Sequence, residues 1–287
     1  MKQINLAERS SPNQRAVSAS RFGFIRSWEF LLGLVIVLFF AINSFLGKYF
    51  IPFNGATLHL GQEFLPPSYA HPFGTDYVGR DVLARTLEGG TVSIEVGVTA
   101  GILTVFLGGI IGIFSGYYGK YFDLGVQRVV DITLAIPAIV FTLVLISIAG
   151  YSLVIVILAI SLLSWPTLSR VTRSETLSLR EQDFVSAEIV AGASSFHIIF
   201  KHLIPNEVRT FVIYSGLSIS GAILIQAALS YLGFSGSGIS WGFDLYNAQQ
   251  YIANGSWWMM LFPGLALTLT SLGFYMMSEG LRKTLKE

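Results

Sequence analysis

Long apolar runs alternate with shorter polar connections along the chain. Six runs approach the roughly 20 residues that a helix needs to cross a bilayer: Phe30–Leu46, Ser93–Phe114, Val129–Ile148, Leu153–Leu168, Phe211–Ala228 and Trp257–Met277. Their apolar residues are continuous rather than alternating, which excludes the strands of a membrane barrel. A spanning backbone must then satisfy its hydrogen bonds within helices. The pattern predicts an all-α, polytopic membrane protein with six transmembrane helices. It divides into a tail (1–29), a first transmembrane helix (30–46), an outer loop with a re-entry helix (47–92), a core of five further helices (93–278) and a second tail (279–287).

One polar stretch, Arg170–Asn206, interrupts this rhythm. Within it, the spacing predicts a helix over Ser186–Leu203, with Ile189, Val190, Ala193, Phe196, Phe200 and Leu203 on one side. Ala187, Ala191, Ser194, Ser195, Lys201 and His202 lie on the other. Gly192 in the middle costs about 1 kcal/mol relative to Ala, so it implies a bend or a close backbone approach. Pro205 is expected to end the segment. A bulky apolar ridge among small neighbours suits insertion into a groove on a partner. The same pattern also suits an amphipathic helix lying on a membrane surface.

Other positions modify the helical plan. Pro137, Pro166 and Pro263 each remove a helix hydrogen bond and favour kinks. Gly97, Gly101, Gly108, Gly112 and Gly116 share one face of the second span. They permit close packing against a partner subunit or within the chain. Arg128 and Asp131 have the i,i+3 spacing of an ion pair. Gln226 is the strongly polar residue of the fifth span, and either bonds another helix or lines a pathway. Arg80–Leu87 is expected to form a helix across the outer mouth. Ser230–Ser256 is expected to be a flexible outer loop, and Trp257 and Trp258 to be interfacial anchors.

Charge sets the orientation. Only 12% of the 287 residues are charged, about half the share in soluble domains. Fifteen Lys and Arg fall in the two tails, the loop after the second span and Arg170–Arg209, against three (Lys48, Arg80, Arg85) on the opposite side. The positive-inside bias therefore places both termini and the long loop in the cytoplasm. The run at 30–46 is read as an uncleaved span, because no A-x-A site follows it. A net charge of +1 excludes a nucleic-acid binder driven by bulk charge.

The sequence assigns no catalytic residue, cofactor or metal site. There are no cysteines. There is no G-x-S-x-G, no H-E-x-x-H and no histidine inside a span, which argues against an intramembrane hydrolase. There is no G-x-x-x-x-G-K-[ST], so ATP hydrolysis would belong to another chain. The glycine-rich stretch Gly233–Gly242 lacks the strand and helix of a phosphate loop. His59 and His71, 12 residues apart, are read as loop histidines, with a metal site as the alternative. The span centres lack acids and bases, which counts against a secondary transporter.

The polar stretch resembles the EAA loop of ABC importer permeases. Ser186-Ala187-Glu188 stands at the EAA positions, Gly192 at the Gly, and His202-Leu203-Ile204-Pro205-Asn206 at the end of the motif. Ser186 replaces the family's Glu. The resemblance extends to His71-Pro72-Phe73-Gly74-Thr75-Asp76, Gly79-Arg80-Asp81-Val82-Leu83, Ser115-Gly116-Tyr117-Tyr118-Gly119, Trp165-Pro166, Ser240-Trp241-Gly242 and Phe262-Pro263-Gly264. In that order they are similar to the C-type permease subunits of the dipeptide/oligopeptide/nickel family.

The resemblance implies a type I ABC importer permease fold, with a five-helix core and an N-terminal helix, in a bacterial inner membrane. It implies a second homologous permease, two cytoplasmic ATPase subunits and an extracytoplasmic solute-binding protein as partners. The coupling residues would be Ser186, Ala187, Glu188, Gly192, Phe196 and Pro205. Gln226 would be a pathway position. Peptides are the expected cargo, with nickel or metal chelates as the alternative.

Overall fold

A computed structural model describes residues 27–50, 55–58, 61–236 and 238–284. The tail before Ser27, His59 and the last three residues lie outside this range. Among the described residues five helices are long and apolar enough to cross a membrane, and a pair bent by 82° brings the number to six if it is one broken span. In chain order they are α1 (Trp28–Phe50), α2 (Val82–Tyr118), the bent pair α3 (Lys120–Leu134) and α4 (Ala138–Ala149), α5 (Leu153–Arg180), α8 (Ile204–Tyr231) and α10 (Trp258–Thr284). Short helices α6 (Asp183–Val190), α7 (Ser195–Ile198) and α9 (Trp241–Ala248) fill the connections. The described residues form no strand; an isolated bridge joins Thr75 and Asp81.

The glycine row of α2 explains the core. An added Cβ at Gly101 would lie 2.8 Å from the Ile219 backbone nitrogen, and one at Gly108 would lie 2.6 Å from the Trp165 carbonyl oxygen. At Gly116 the obstacle is the Arg173 carbonyl, at 2.7 Å. The row therefore packs within the chain, its N-terminal part on α8 and its C-terminal part on α5. Val96 and Ala100 of α2 join Val156, Ile160, Ala222 and Leu229 in a buried apolar cluster there. Gly33 and Gly273 allow the same close approach between α1 and α10.

The third apolar run is not one straight span. α3 and α4 meet at 82°, and Pro137 stands at the break with extended backbone (φ −62°, ψ 122°). A kink was expected; here the chain breaks outright, with α3 ending at Leu134 and Pro137 standing before α4, whereas Pro166 and Pro263 lie inside continuous helices. α4 has 12 residues, a rise of about 18 Å. Asp131 does not pair with Arg128. Its Oδ1 accepts from Arg170 Nη2 at 2.5 Å, and Arg173 holds Asp123 with two donors. Both arginines are available because α5 continues for three turns past Leu168, alongside α3.

The end of the bundle where α2 begins departs most from expectation. Arg80–Leu87 is not a separate helix across the mouth. Asp81 caps α2 through the Ala84 N–H at 2.9 Å, and α2 then runs unbroken for 37 residues. The stretch from His71 to Asp81 folds back on this start. His71 Nδ1 lies 2.9 Å from Asp81 Oδ2, and Asp76 binds the backbone and side chain of Arg80. Nor is 230–256 simply a flexible loop. Ser240 caps α9, and Trp241 is fully buried, donating from Nε1 to the Thr86 carbonyl at 2.6 Å. Trp257 is exposed, as an interfacial anchor would be, but Trp258 is buried and donates to the Thr75 carbonyl at 3.0 Å. Arg85 joins the two halves of this cap, donating from Nε to Asp244 Oδ1 at 2.8 Å and from Nη1 to the Gly55 carbonyl. Burial pushes the Asp244 carboxyl up to about 6 against the downward pull of Arg85.

The opposite end gathers the start of α1, the end of α10 and the long polar loop. Lys283 Nζ pairs with Glu29 at 2.5 Å. Ser278 donates to the Ile213 carbonyl near the start of α8, and Thr176 of α5 donates to Glu207 in the first turn of α8.

Candidate coupling element between α5 and α8

The expected single helix over Ser186–Leu203 is two helical pieces joined by a turn. α6 begins after Gln182, with Asp183 in its first turn, where a carboxylate complements the helix dipole. It ends at Gly192, whose φ is +82°. The Gly192 N–H reaches the Ile189 carbonyl at 3.1 Å, and the Ala193 N–H reaches the Glu188 carbonyl at 3.0 Å. These two bonds are a Schellman ending, in which glycine takes the left-handed position. A Cβ at Gly192 would meet nothing within 4 Å. The residue therefore serves the bend and not a close approach.

Ser194 restarts the helix, its Oγ accepting from the His197 N–H at 3.2 Å. After α7 the chain makes a π turn over Ile199–Leu203 and passes directly into α8. Pro205 does not end the segment. It lies in the first turn of α8, where a missing N–H is tolerated.

The expected apolar ridge is divided between two surroundings. Leu203 is buried with Ile198, Ile199, Val185 and Ile113 of α2, packed beside Phe114 and Tyr117. That cluster fixes the loop to the C-terminal ends of α2 and α5. Ile189, Val190, Phe196 and Phe200 stay outside it, with Val190 89% and Phe196 63% exposed. The Phe196 and Phe200 rings stack on each other at 4.9 Å. Four large apolar side chains thus face away from the bundle on an element anchored by its other face. Ser186 and Ala187 are exposed, Glu188 is half-buried and Pro205 is exposed.

Gln226 lies far from this loop. It is buried, and its Nε2 donates to Ser230 Oγ one turn on at 2.9 Å. The expected bond to another helix is replaced by a bond within α8, and its Oε1 has no partner among the described residues.

Several polar groups here were not anticipated. Glu207 is buried at the root of the loop with Oε1 held by Thr176, and Glu175 accepts from Thr210 at 2.7 Å. Glu188, His197 and His202 bring their ligating atoms within 4.8 Å of one another. The spacing of five between the two histidines gives no α-helical signal, because an α-helix sets such residues far apart around its axis. The signal for the break was present: Gly192 followed by Ser194 is a helix stop and then a helix start.

A family model described as the binding-protein-dependent transport system inner membrane component matches residues 108–286. The chain belongs to this family. The matched range holds the whole coupling element, α5, α8 and α10. A putative peptide permease protein of Brucella suis is 39% identical over 277 residues, covering 95% of this chain and 91% of the relative. A second Brucella suis relative, a putative peptide transport system permease protein, is 35% identical over 263 residues, covering 91% and 88%. The dipeptide transport system permease protein DppC of Alkalihalophilus pseudofirmus is 34% identical over 257 residues, covering 89% and 84%.

Proposed function

We propose that this chain is one of two permease subunits in an ATP-driven peptide importer of a bacterial inner membrane, and forms half of the translocation pathway. The energy comes from cytoplasmic ATPase subunits that grip the element between α5 and α8. A solute-binding protein outside the membrane delivers the cargo. Peptide as cargo rests on the names of the relatives. The charge bias of the sequence puts both termini and the loop on the cytoplasmic side.

The observation that carries the docking role is the exposed set Ile189, Val190, Phe196 and Phe200 beside a buried anchoring face. A short element of this kind fits a groove on a partner, and a central aromatic there is worth about 2 kcal/mol of association or more. Force applied at α6 and α7 passes through the π turn into α8 without an intervening loop. It also reaches α2 through Ile113. Pro205 sets the entry of α8, and Gly192 sets the angle of α6. Gln226, buried with an unbonded oxygen, is the α8 group that an opening pathway would hydrate.

The test is uptake of labelled peptide into proteoliposomes containing the assembled importer. ATP inside, in contact with the ATPase subunits, should drive uptake, and vanadate should stop it. Peptide uptake by the permeases with the ATPase subunits left out would overturn the reading and favour a secondary transporter.

A further inference from the structure

The geometry points to a binding site for one divalent first-row transition-metal ion of the zinc type, formed by Glu188, His197 and His202 across the Gly192 turn. Two imidazoles and a carboxylate are a donor set that suits such ions, with an open position left for water. Glu188 Oε1 and His202 Nε2 lie 3.3 Å apart. Two ligands bonded at about 2.0–2.1 Å to a tetrahedral ion are separated by about 3.3 Å. His202 Nε2 is buried and makes no hydrogen bond among the described residues, even to this carboxylate. The His197 and His202 rings are 5.9 Å apart between centroids, and all three ligating atoms fall within 4.8 Å.

The backbone explains why these residues meet. A π turn holds one residue more than an α turn, so it brings residues five apart toward the relation that i and i+4 have in an α-helix. Such turns are frequent at functional sites. The Schellman ending at Gly192 then folds Glu188 of α6 back toward the two histidines. An ion held here ties α6 to the helix leading into α8 and fixes the angle between them. That regulatory consequence rests on the coupling role proposed above; the binding itself does not.

The test uses the purified full-length permease without a histidine tag, titrated calorimetrically with Zn²⁺, with Mg²⁺ as the control. The wild type should bind one Zn²⁺ per chain and no Mg²⁺. His197→Ala and His202→Ala should abolish that binding, while His71→Ala retains it. Zn²⁺ should also slow hydrogen exchange across 188–202 in the wild type and not in His197→Ala. Equal Zn²⁺ binding by wild type and both loop variants, or no binding by the wild type, would overturn the site. In the assembled importer, Zn²⁺ should alter ATP-driven uptake in the wild type but not in His197→Ala. Binding without that effect would overturn the clamp, and leaves the docking of the ATPase to its own test.

Discussion

The two ends of the helical bundle handle polar and apolar groups in opposite ways. At the end capped by α9, polar groups are turned inward and bonded: Arg85 with Asp244, Arg80 with Asp76, His71 with Asp81. Trp241 and Trp258 are buried there with their N–H groups bonded to backbone. At the opposite end, the loop between α5 and α8 leaves Val190, Phe196 and Phe200 uncovered and bends at a left-handed glycine. The cap pairs its arginines with carboxylates, leaving only single atoms such as Arg80 Nη2 and Asp244 Oδ2 without a hydrogen bond among the described residues, and suits a fixed rim. The loop is satisfied on one face only and suits a joint that another protein completes.

The largest effect should come from the cap. Asp244→Ala takes from the buried Arg85 guanidinium its hydrogen-bonded carboxylate and leaves Asp76 Oδ2 at 4.0 Å, which should destabilise the protein by about 3 kcal/mol. Thermal unfolding in detergent measures it, and the Arg85→Ala/Asp244→Ala double variant should lose less than the sum of the singles. Additive losses would mean that the pair does not hold the cap together.

Phe196→Ala sharpens the contrast. The side chain is 63% exposed, so the melting temperature should stay near that of the wild type. Association with the ATPase subunits should nevertheless weaken by about 2 kcal/mol, roughly 30-fold, as measured by surface-immobilised binding. A large loss of stability with unchanged association would reverse the roles assigned to the two ends.

Gly192→Ala should have the smallest effect of the three, and a local one. There is open space around the added Cβ, so its cost is the left-handed backbone alone, about 1 kcal/mol and confined to the turn. Hydrogen exchange over 188–198 should rise while the rest of the chain is unchanged. Gly192→Leu carries the same strain with a bulkier side chain; it should remain in the membrane yet uncouple ATP hydrolysis from uptake.

The helices were legible from their apolar runs, and the connection between α5 and α8 from the polar stretch that interrupts them. What escaped has physical reasons. Arg85 and Asp244 are 159 positions apart, so no local spacing could join them. A buried tryptophan in a glycine-rich connection carries the same letters as an interfacial one, and Trp241 was therefore read as loop. A bend at Gly192 was one of two expectations, but the division into two helices was missed because the ridge residues on both sides of it kept a helical period. That period concealed the Schellman ending and the serine cap that follows it. The meeting of Glu188, His197 and His202 depends on a π turn, which apolar periodicity does not encode.

The most direct test of the lever uses the absence of cysteine from the native chain. Single cysteines are introduced by Phe196→Cys and, at the outer end, by Tyr69→Cys, and the assembled importer is treated with a short bifunctional thiol reagent in intact membranes. The account predicts that Phe196→Cys captures an ATPase subunit and is shielded from a membrane-impermeant maleimide added outside, while Tyr69→Cys is labelled from outside and captures none. Labelling of Phe196→Cys from outside, or its failure to capture the ATPase under conditions where uptake is active, would contradict it.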